Sequence, residues 1–245
     1  MIPDGWLAPE WPAPAGVRAF FTTRAGGVSE GEYGSTNLGE RSGDDPERVA
    51  RNRLILRACL PTAPRWMTQV HGTRVADLDG LEHGAVPVAD AAVTGVKGCV
   101  AVVQTADCMP LLLCAASGAR VGAAHAGWRG MAAGVIENAV AALDADPSRV
   151  IAWMGPTIGP TAFEVGPEVR EAFLREDPAA ENAFAAHAPG KFMADLYALA
   201  RRRLQRAGVR EIHGGGFCTY REDQRFFSYR RVQRSGRMGA FIWME

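Results

Sequence analysis

Two histidines and one cysteine carry the strongest chemical signal in the chain. His71 lies in Gln69-Val70-His71-Gly72 and Cys108 in Ala106-Asp107-Cys108-Met109-Pro110. His125 lies in Val121-Gly122-Ala123-Ala124-His125-Ala126-Gly127-Trp128-Arg129-Gly130. Two imidazoles and a thiolate suit Zn²⁺, which takes N and S ligands tetrahedrally. Three protein ligands leave a fourth position for water, the arrangement of a catalytic zinc, and water bound there has a pKa near ~7. The ligands are far apart in sequence, so their spacing is not diagnostic by itself. The same residues also allow Cys108 as a nucleophile with His125 as its base. Local context separates Cys108 from the other cysteines: it follows Ala106-Asp107 and precedes Pro110, whereas Cys99 and Cys114 sit inside apolar runs. Asp107 reads as a partner of the ligands, as a general base, or as a turn residue bonding its own backbone.

Arg129 supplies a second kind of chemistry. The run after His125 reads as a strand, a Gly-punctuated turn and then a helix from Met131 to Leu143, with Val135, Ala139, Ala142 and Leu143 at three- and four-residue steps. Unpaired N–H groups and a positive dipole make a helix start attractive to anions, and a guanidinium beside it adds a forked donor. Phosphate is therefore expected near Arg129.

Other motifs are weaker. Gly27-Val28-Ser29-Glu30-Gly31 has the spacing of a nucleophile elbow, but no helix is expected directly after Ser29. Gly122 to Gly127 has P-loop spacing, yet Trp128-Arg129 replaces the Lys-Ser/Thr pair. His213-Gly214-Gly215-Gly216 reads as a turn beside Cys218-Thr219. Arg230-Arg231 reads as a solvated charge pair before a phosphate clamp. Asn52 and Arg53 read as the polar face of a helix.

The elements that must position these groups alternate. Strands are expected over 17–23, 65–70, 73–78, 91–94, 100–105, 111–114, 120–124, 150–154, 209–213, 225–229 and 239–243. Their closeness between 91 and 124 suggests antiparallel neighbours rather than a βαβ array. Helices are expected from Pro46, capped by Asp45, to about Leu60, over 167–175 and over 192–207. No repeat or linker divides the chain, so residues 1–245 are read as one α/β domain.

Composition narrows the class. Lys plus Arg equals Asp plus Glu at 27 each, so nothing argues for nucleic acid as a partner. No apolar run reaches the ~18 residues of a membrane helix. Residues 1–6 carry no basic or long apolar stretch, and five cysteines without framework spacing read as reduced thiols. A cytoplasmic protein with no membrane partner is expected.

The motifs together resemble one family. Besides the three ligand segments, Phe21-Thr22-Thr23-Arg24-Ala25-Gly26-Gly27-Val28-Ser29 and Phe226-Phe227-Ser228-Tyr229-Arg230-Arg231 match its pattern. The chain, from about Arg18 to Trp243, resembles the laccase-domain family, also called polyphenol oxidase or peptidoglycan editing factor. The resemblance implies zinc held by His71, Cys108 and His125. It implies two mixed β-sheets packed face to face with outer helices in α/β/β/α layers, akin to a bacterial toxin deamidase. It also implies phosphorolysis of adenosine, inosine and methylthioadenosine, with some adenosine deamination. The rivals are a Cys108–His125 hydrolase or amidase acting in peptidoglycan precursor editing, and a non-catalytic zinc-held binding module. The oxidase name fits the residues poorly. A trinuclear copper cluster needs paired His-X-His ligands, and no two of the five histidines (71, 83, 125, 187, 213) are two apart. A single copper at the two-His, one-Cys site is the less favoured metal.

Overall fold

The computed structural model describes residues 2–82 and 84–245; Met1 and His83 lie outside the described residues. In chain order the elements are β1 (Val17–Phe21), α1 (Pro46–Arg57), β2 (Val75–Asp77), β3 (Ala91–Thr94), β4 (Ala101–Thr105), β5 (Met109–Ala115) and β6 (Val121–Ala126). Then follow α2 (Trp128–Ala133), α3 (Val135–Ala142), β7 (Val150–Met154), β8 (Glu164–Val165), α4 (Pro167–Leu174), β9 (Phe184–Ala186), β10 (Phe192–Ala194), α5 (Leu196–Arg206), β11 (Glu211–Gly214) and β12 (Met238–Met244).

Two sheets form the centre. A six-stranded sheet has the order β11-β7-β5-β6-β3-β2, and a three-stranded sheet the order β1-β12-β4. Apolar side chains from both, among them Leu112, Cys114 and Ala123 facing Val103, Ala240 and Ile242, make the core between them. Helices α2 to α5 cover the outer face of the six-stranded sheet, where Met131, Ile136, Leu199 and Leu204 are buried. On the far side α1 lays Leu56 against Phe20, Val102, Phe241 and Trp243. The layers are therefore α/β/β/α, as expected. Strands with both faces covered lose apolar–polar alternation, and every residue of β5, β6, β7 and β12 is buried. Among the described residues, no helix is long and apolar enough to cross a membrane.

Several expectations are corrected. Only the larger sheet is mixed; the smaller is antiparallel throughout. Strand β4 leaves its sequence neighbours and pairs with β12. A third small sheet, β8-β10-β9, takes Phe192–Ala194 from the start of the expected helix; α5 begins only after Asp195, whose side chain accepts the Ala198 N–H at 3.0 Å. The helix expected over 131–143 is two helices, because Gly134 adopts φ +104° and breaks it. Residues 65–70 make only isolated bridges, at Arg65 and Thr68. Residues 225–229 are not a strand: Phe226 and Phe227 both enter the core between the sheets, whereas successive strand residues point to opposite faces.

Candidate metal centre

Strand register brings two of the expected ligands together. In the antiparallel β5–β6 pair, Pro110 lies opposite His125 and Met109 opposite Ala126. Cys108, one residue before β5, thus arrives beside His125 near the end of β6. His71 comes from the loop ahead of β2. The donor atoms of His71, Cys108 and His125 lie within 4.8 Å of one another. Cys108 Sγ is 3.8 Å from His71 Nε2, and the two imidazoles meet edge to face at 4.7 Å. A tetrahedral centre with ligands at ~2.0–2.1 Å (N) and ~2.3 Å (S) sets its donor atoms about 3.4–3.6 Å apart. Donor chemistry and separations therefore fit a zinc-type ion.

Asp90, which the sequence reading did not single out, organises this group. It is fully buried and directly precedes β3, whose Ala91 lies opposite Ala124 of β6. One oxygen accepts the His125 Nδ1–H at 2.9 Å, which leaves Nε2 of that ring free as a donor atom. The carboxylate also accepts backbone N–H groups from Val70 (3.1 Å), His71 (2.9 Å) and Gly72 (2.7 Å). It thereby fixes the loop in which His71 holds φ +60°, a conformation unusual for a residue with a Cβ. Burial opposes its charge, but His125 and the Gly72 and Val70 N–H groups outweigh this and hold the carboxyl below its ordinary value. Gln69 braces the same loop by exchanging two hydrogen bonds with the Gln104 backbone, at 2.8 and 2.7 Å. Gly127 has a steric reason: a Cβ there would sit 2.9 Å from both Cys108 Sγ and His71 Cδ2.

Asp107 also holds structure. Its carboxylate accepts the Thr219 hydroxyl at 2.6 Å and the Arg230 N–H at 2.7 Å. Its carbonyl accepts Thr157 Oγ1–H and Ile158 N–H. The residue anchors three loops around Cys108 from a backbone at φ +91°.

The ligands open into a cavity of about 770 Å³. Five arginines line it (Arg41, Arg53, Arg129, Arg230 and Arg237), against two carboxylates, Glu40 and Asp107. Arg129 is exposed and lies 4.4 Å over the Trp128 ring; among the described residues no carboxylate pairs with it. Helix α2 behind it has only six residues, so the guanidinium is its main attraction for an anion. Arg230 reaches the cavity over the Phe163 ring at 5.1 Å. The Arg230-Arg231 pair is thus not simply solvated: Arg231 ties the carbonyls of Thr219, Tyr220 and Phe226. Arg53 and Arg237 were not expected here. Arg53 stacks 4.0 Å over Trp66, and its neighbour Asn52, far from being a solvated face, is fully buried and donates to Ser29 Oγ and to the carbonyls of Ser35 and Asn37. Ser29 in turn donates to Asp44 at 2.6 Å and precedes only one short turn, Gly31–Tyr33, so the elbow is absent. His213 pairs with Glu211 on the edge strand β11, away from the cavity.

Charge couples Cys108 to His125. Burial alone would raise the thiol, but the neighbouring His125 and hydrogen bonds from both imidazoles bring it down to about 6. For His125, burial lowers the value while Cys108 and Asp90 raise it to about 9. Without metal, a thiolate–imidazolium pair therefore exists between those limits. Its contribution from Cys108 is present above the ordinary 9.0 and fades as pH falls through about 6. The contribution from His125 is present below 6.5 and fades as pH rises through about 9. The expected result is that Cys108 of metal-stripped protein is alkylated with a midpoint near pH 6. Cys114, buried and pushed up to about 12, is expected to stay unlabelled. Mass spectrometry after iodoacetamide pulses from pH 4 to 9 checks this; equal labelling of the two thiols contradicts it.

Comparison with known proteins adds the following. Residues 18–245 match the family described as multi-copper polyphenol oxidoreductase laccase. A purine nucleoside phosphorylase of Pseudomonas aeruginosa is 49% identical over 243 residues, covering 99% of each chain. The purine nucleoside phosphorylase YfiH of Escherichia coli is 50% identical over 240 residues, covering 97% of this chain and 98% of that one. The crystal structure of Neisseria meningitidis protein NMB0706 superposes with a TM-score of 0.94 at 46% identity, over 99% of this chain and all of the other.

Proposed function

Because the chain belongs to the multi-copper polyphenol oxidoreductase laccase family, we propose that it works as its relatives are named: a purine nucleoside phosphorylase that splits adenosine, inosine or methylthioadenosine with phosphate, with some adenosine deamination. The observation that carries this reading is one cavity holding both a His71–Cys108–His125 donor set and arginines without carboxylate partners. His71, Cys108 and His125 would hold zinc, which supplies a Lewis acid and an acidified water when bound. Asp90 keeps His125 in the tautomer that presents Nε2. Arg129 and Arg230 bind phosphate with forked donors. Asp107 positions the Cys108 turn and the Arg230 backbone. Phosphate so held attacks the anomeric carbon from a fixed position instead of water.

The assay is chromatography of products with phosphate varied at fixed enzyme and zinc. Free base and ribose 1-phosphate are expected only with phosphate present. Arg129→Ala is expected to raise the phosphate KM about tenfold or more, the loss of one charge-assisted contact, with little change in nucleoside KM. Base release independent of phosphate makes the protein a hydrolase; no base release from any purine nucleoside ends the phosphorylase reading.

A second reading has its own observation. Cys108, His125 and Asp90 form a chain of nucleophile, base and orienting carboxylate, which suits an amidase acting on peptidoglycan precursors. Metal content separates the two, because a metal-bound thiolate is a poor nucleophile.

A further inference from the structure

The cavity carries more positive charge than a neutral nucleoside and one phosphate require. Its arginines are fixed on different layers. Arg129 and Arg230 belong to the α2 and β8 side, where Arg230 donates to the Glu164 carbonyl at 2.7 Å. Arg237 belongs to the α1 side: its N–H donates to Asn37 Oδ1 at 2.8 Å and its carbonyl accepts the Leu38 N–H at 3.0 Å. Arg53 donates to the Leu38 carbonyl at 3.0 Å. The Arg237 guanidinium is clamped by Nη1 on the Ser235 and Gly236 carbonyls, at 2.7 and 3.0 Å. Among the described residues its Nε and Nη2 have no hydrogen-bond acceptor and no carboxylate pairs with it. Burial disfavours this charge, and the nearby Cys108 and Asp107, neither hydrogen-bonded to it, offset that only in part; an anion on the open Nε and Nη2 would supply the rest. Arg53 already has Glu40; Arg237, less exposed than Arg41, is the held cation at this end with no carboxylate partner among the described residues.

We propose that the Arg53–Arg237 end of the cavity is a second anion subsite that takes the phosphate ester of a purine nucleoside 5′-monophosphate. Its purine part rests on the phosphorylase reading; the anion subsite does not. Forked donors on Nε and Nη2 of Arg237 match two oxygens of a phosphate monoester. Arg129 and Arg230 remain for inorganic phosphate.

Calorimetric titration of the zinc-loaded protein tests this without turnover, using inosine, inosine 5′-monophosphate, inorganic phosphate and pyrophosphate separately. The nucleotide is expected to bind about tenfold or more tightly than inosine, the effect of one added charge-assisted contact, and to lose that advantage as salt rises. Arg237→Gln is expected to erase the advantage while inosine binding stays the same. Arg237→Lys keeps the charge and stem but loses the fork, and is expected to cut the advantage severalfold. The proposal is overturned if the nucleotide binds no better than inosine, or if Arg237→Gln weakens both equally. It is also overturned if pyrophosphate binds as tightly as the nucleotide, which would mean adventitious anion binding only. Nucleotide binding together with no base release from any purine nucleoside when phosphate is supplied would retire the phosphorylase reading and leave the subsite standing.

Discussion

Cys108→Ala is expected to remove stoichiometric zinc and to abolish phosphate-dependent base release, while the protein still unfolds as a cooperative unit. Loss of an outer partner of a metal ligand typically costs 10–100-fold in affinity; loss of the only thiolate among three ligands costs more. The fold tolerates it because Cys108 is only half-buried, in a turn before β5, and belongs to none of the hydrophobic clusters. The change leaves buried His125 without its thiolate partner, so a cost of about 1–3 kcal/mol is expected, short of global unfolding. Metal analysis of the purified variant, a nucleoside assay and a thermal melt check the three parts. Global unfolding would make the metal a structural tie; full zinc occupancy would remove Cys108 from the ligand set.

Asp90→Asn has a larger effect on stability. The shapes match, but an amide offers one acceptor oxygen where the carboxylate receives four donors. Its NH₂ must face at least one N–H in a fully buried site. An unsatisfied buried group costs about 1–3 kcal/mol and removal of one partner of a buried charge pair about 3–5. For a chain of this length each 1 kcal/mol lowers Tm by ~2–4 °C, so a fall of roughly 5–15 °C is expected. Zinc affinity falls about 10–100-fold, because His125 loses its fixed tautomer and the His71 loop its anchor. Excess zinc restores base release, and this separates positioning from simple unfolding. Unchanged zinc affinity in a chelator competition would show that Asp90 serves only the fold. The wild-type contribution is present above the carboxyl's ordinary 3.8 and is lost as pH falls through its lower native value.

The convergence of His71, Cys108 and His125 was legible in sequence because each departs from its local pattern. Cys108 stands outside an apolar run, and His125 lies two residues before Gly127, where a Cβ would crowd Cys108 Sγ and His71 Cδ2. The α/β/β/α layers rested on the family resemblance, whereas the apolar strands and capped helices indicated only a mixed α/β domain. Asp90 was not legible. It is one acidic residue before a four-residue strand, and only the pairing of Ala91 with Ala124 gives it a meaning. Arg237 is likewise opaque, because its role depends on Asn37, 200 positions away. Arg53 was read as solvated since its helical face is polar; Trp66, which it covers, comes from an irregular segment that periodicity does not place. The strand expected over 225–229 failed because alternation in a short aromatic run does not distinguish a pleated strand from a loop folded into the core.

The pairing of β5 with β6 has a consequence for how the chain finds its native arrangement. A strand with one wet face cannot shift by one residue without turning its apolar side outward. Every residue of β5 and β6 is buried, so this penalty is weak here. Fit of small against large side chains gives some direction: a Cβ on Gly122 would meet Val93 Cγ1 at 3.0 Å and the Ala92 carbonyl at 3.1 Å. The polar ends supply the rest. A slip of β6 by one residue against β3 and β5 would carry His125 away from Asp90, leave that buried carboxylate one donor short, and part His125 from Cys108. The His71–Cys108–His125 cluster therefore acts as an alignment key for the sheet: chains that zip up out of step are those unable to close it, and a metal ion held there would reward correct assembly.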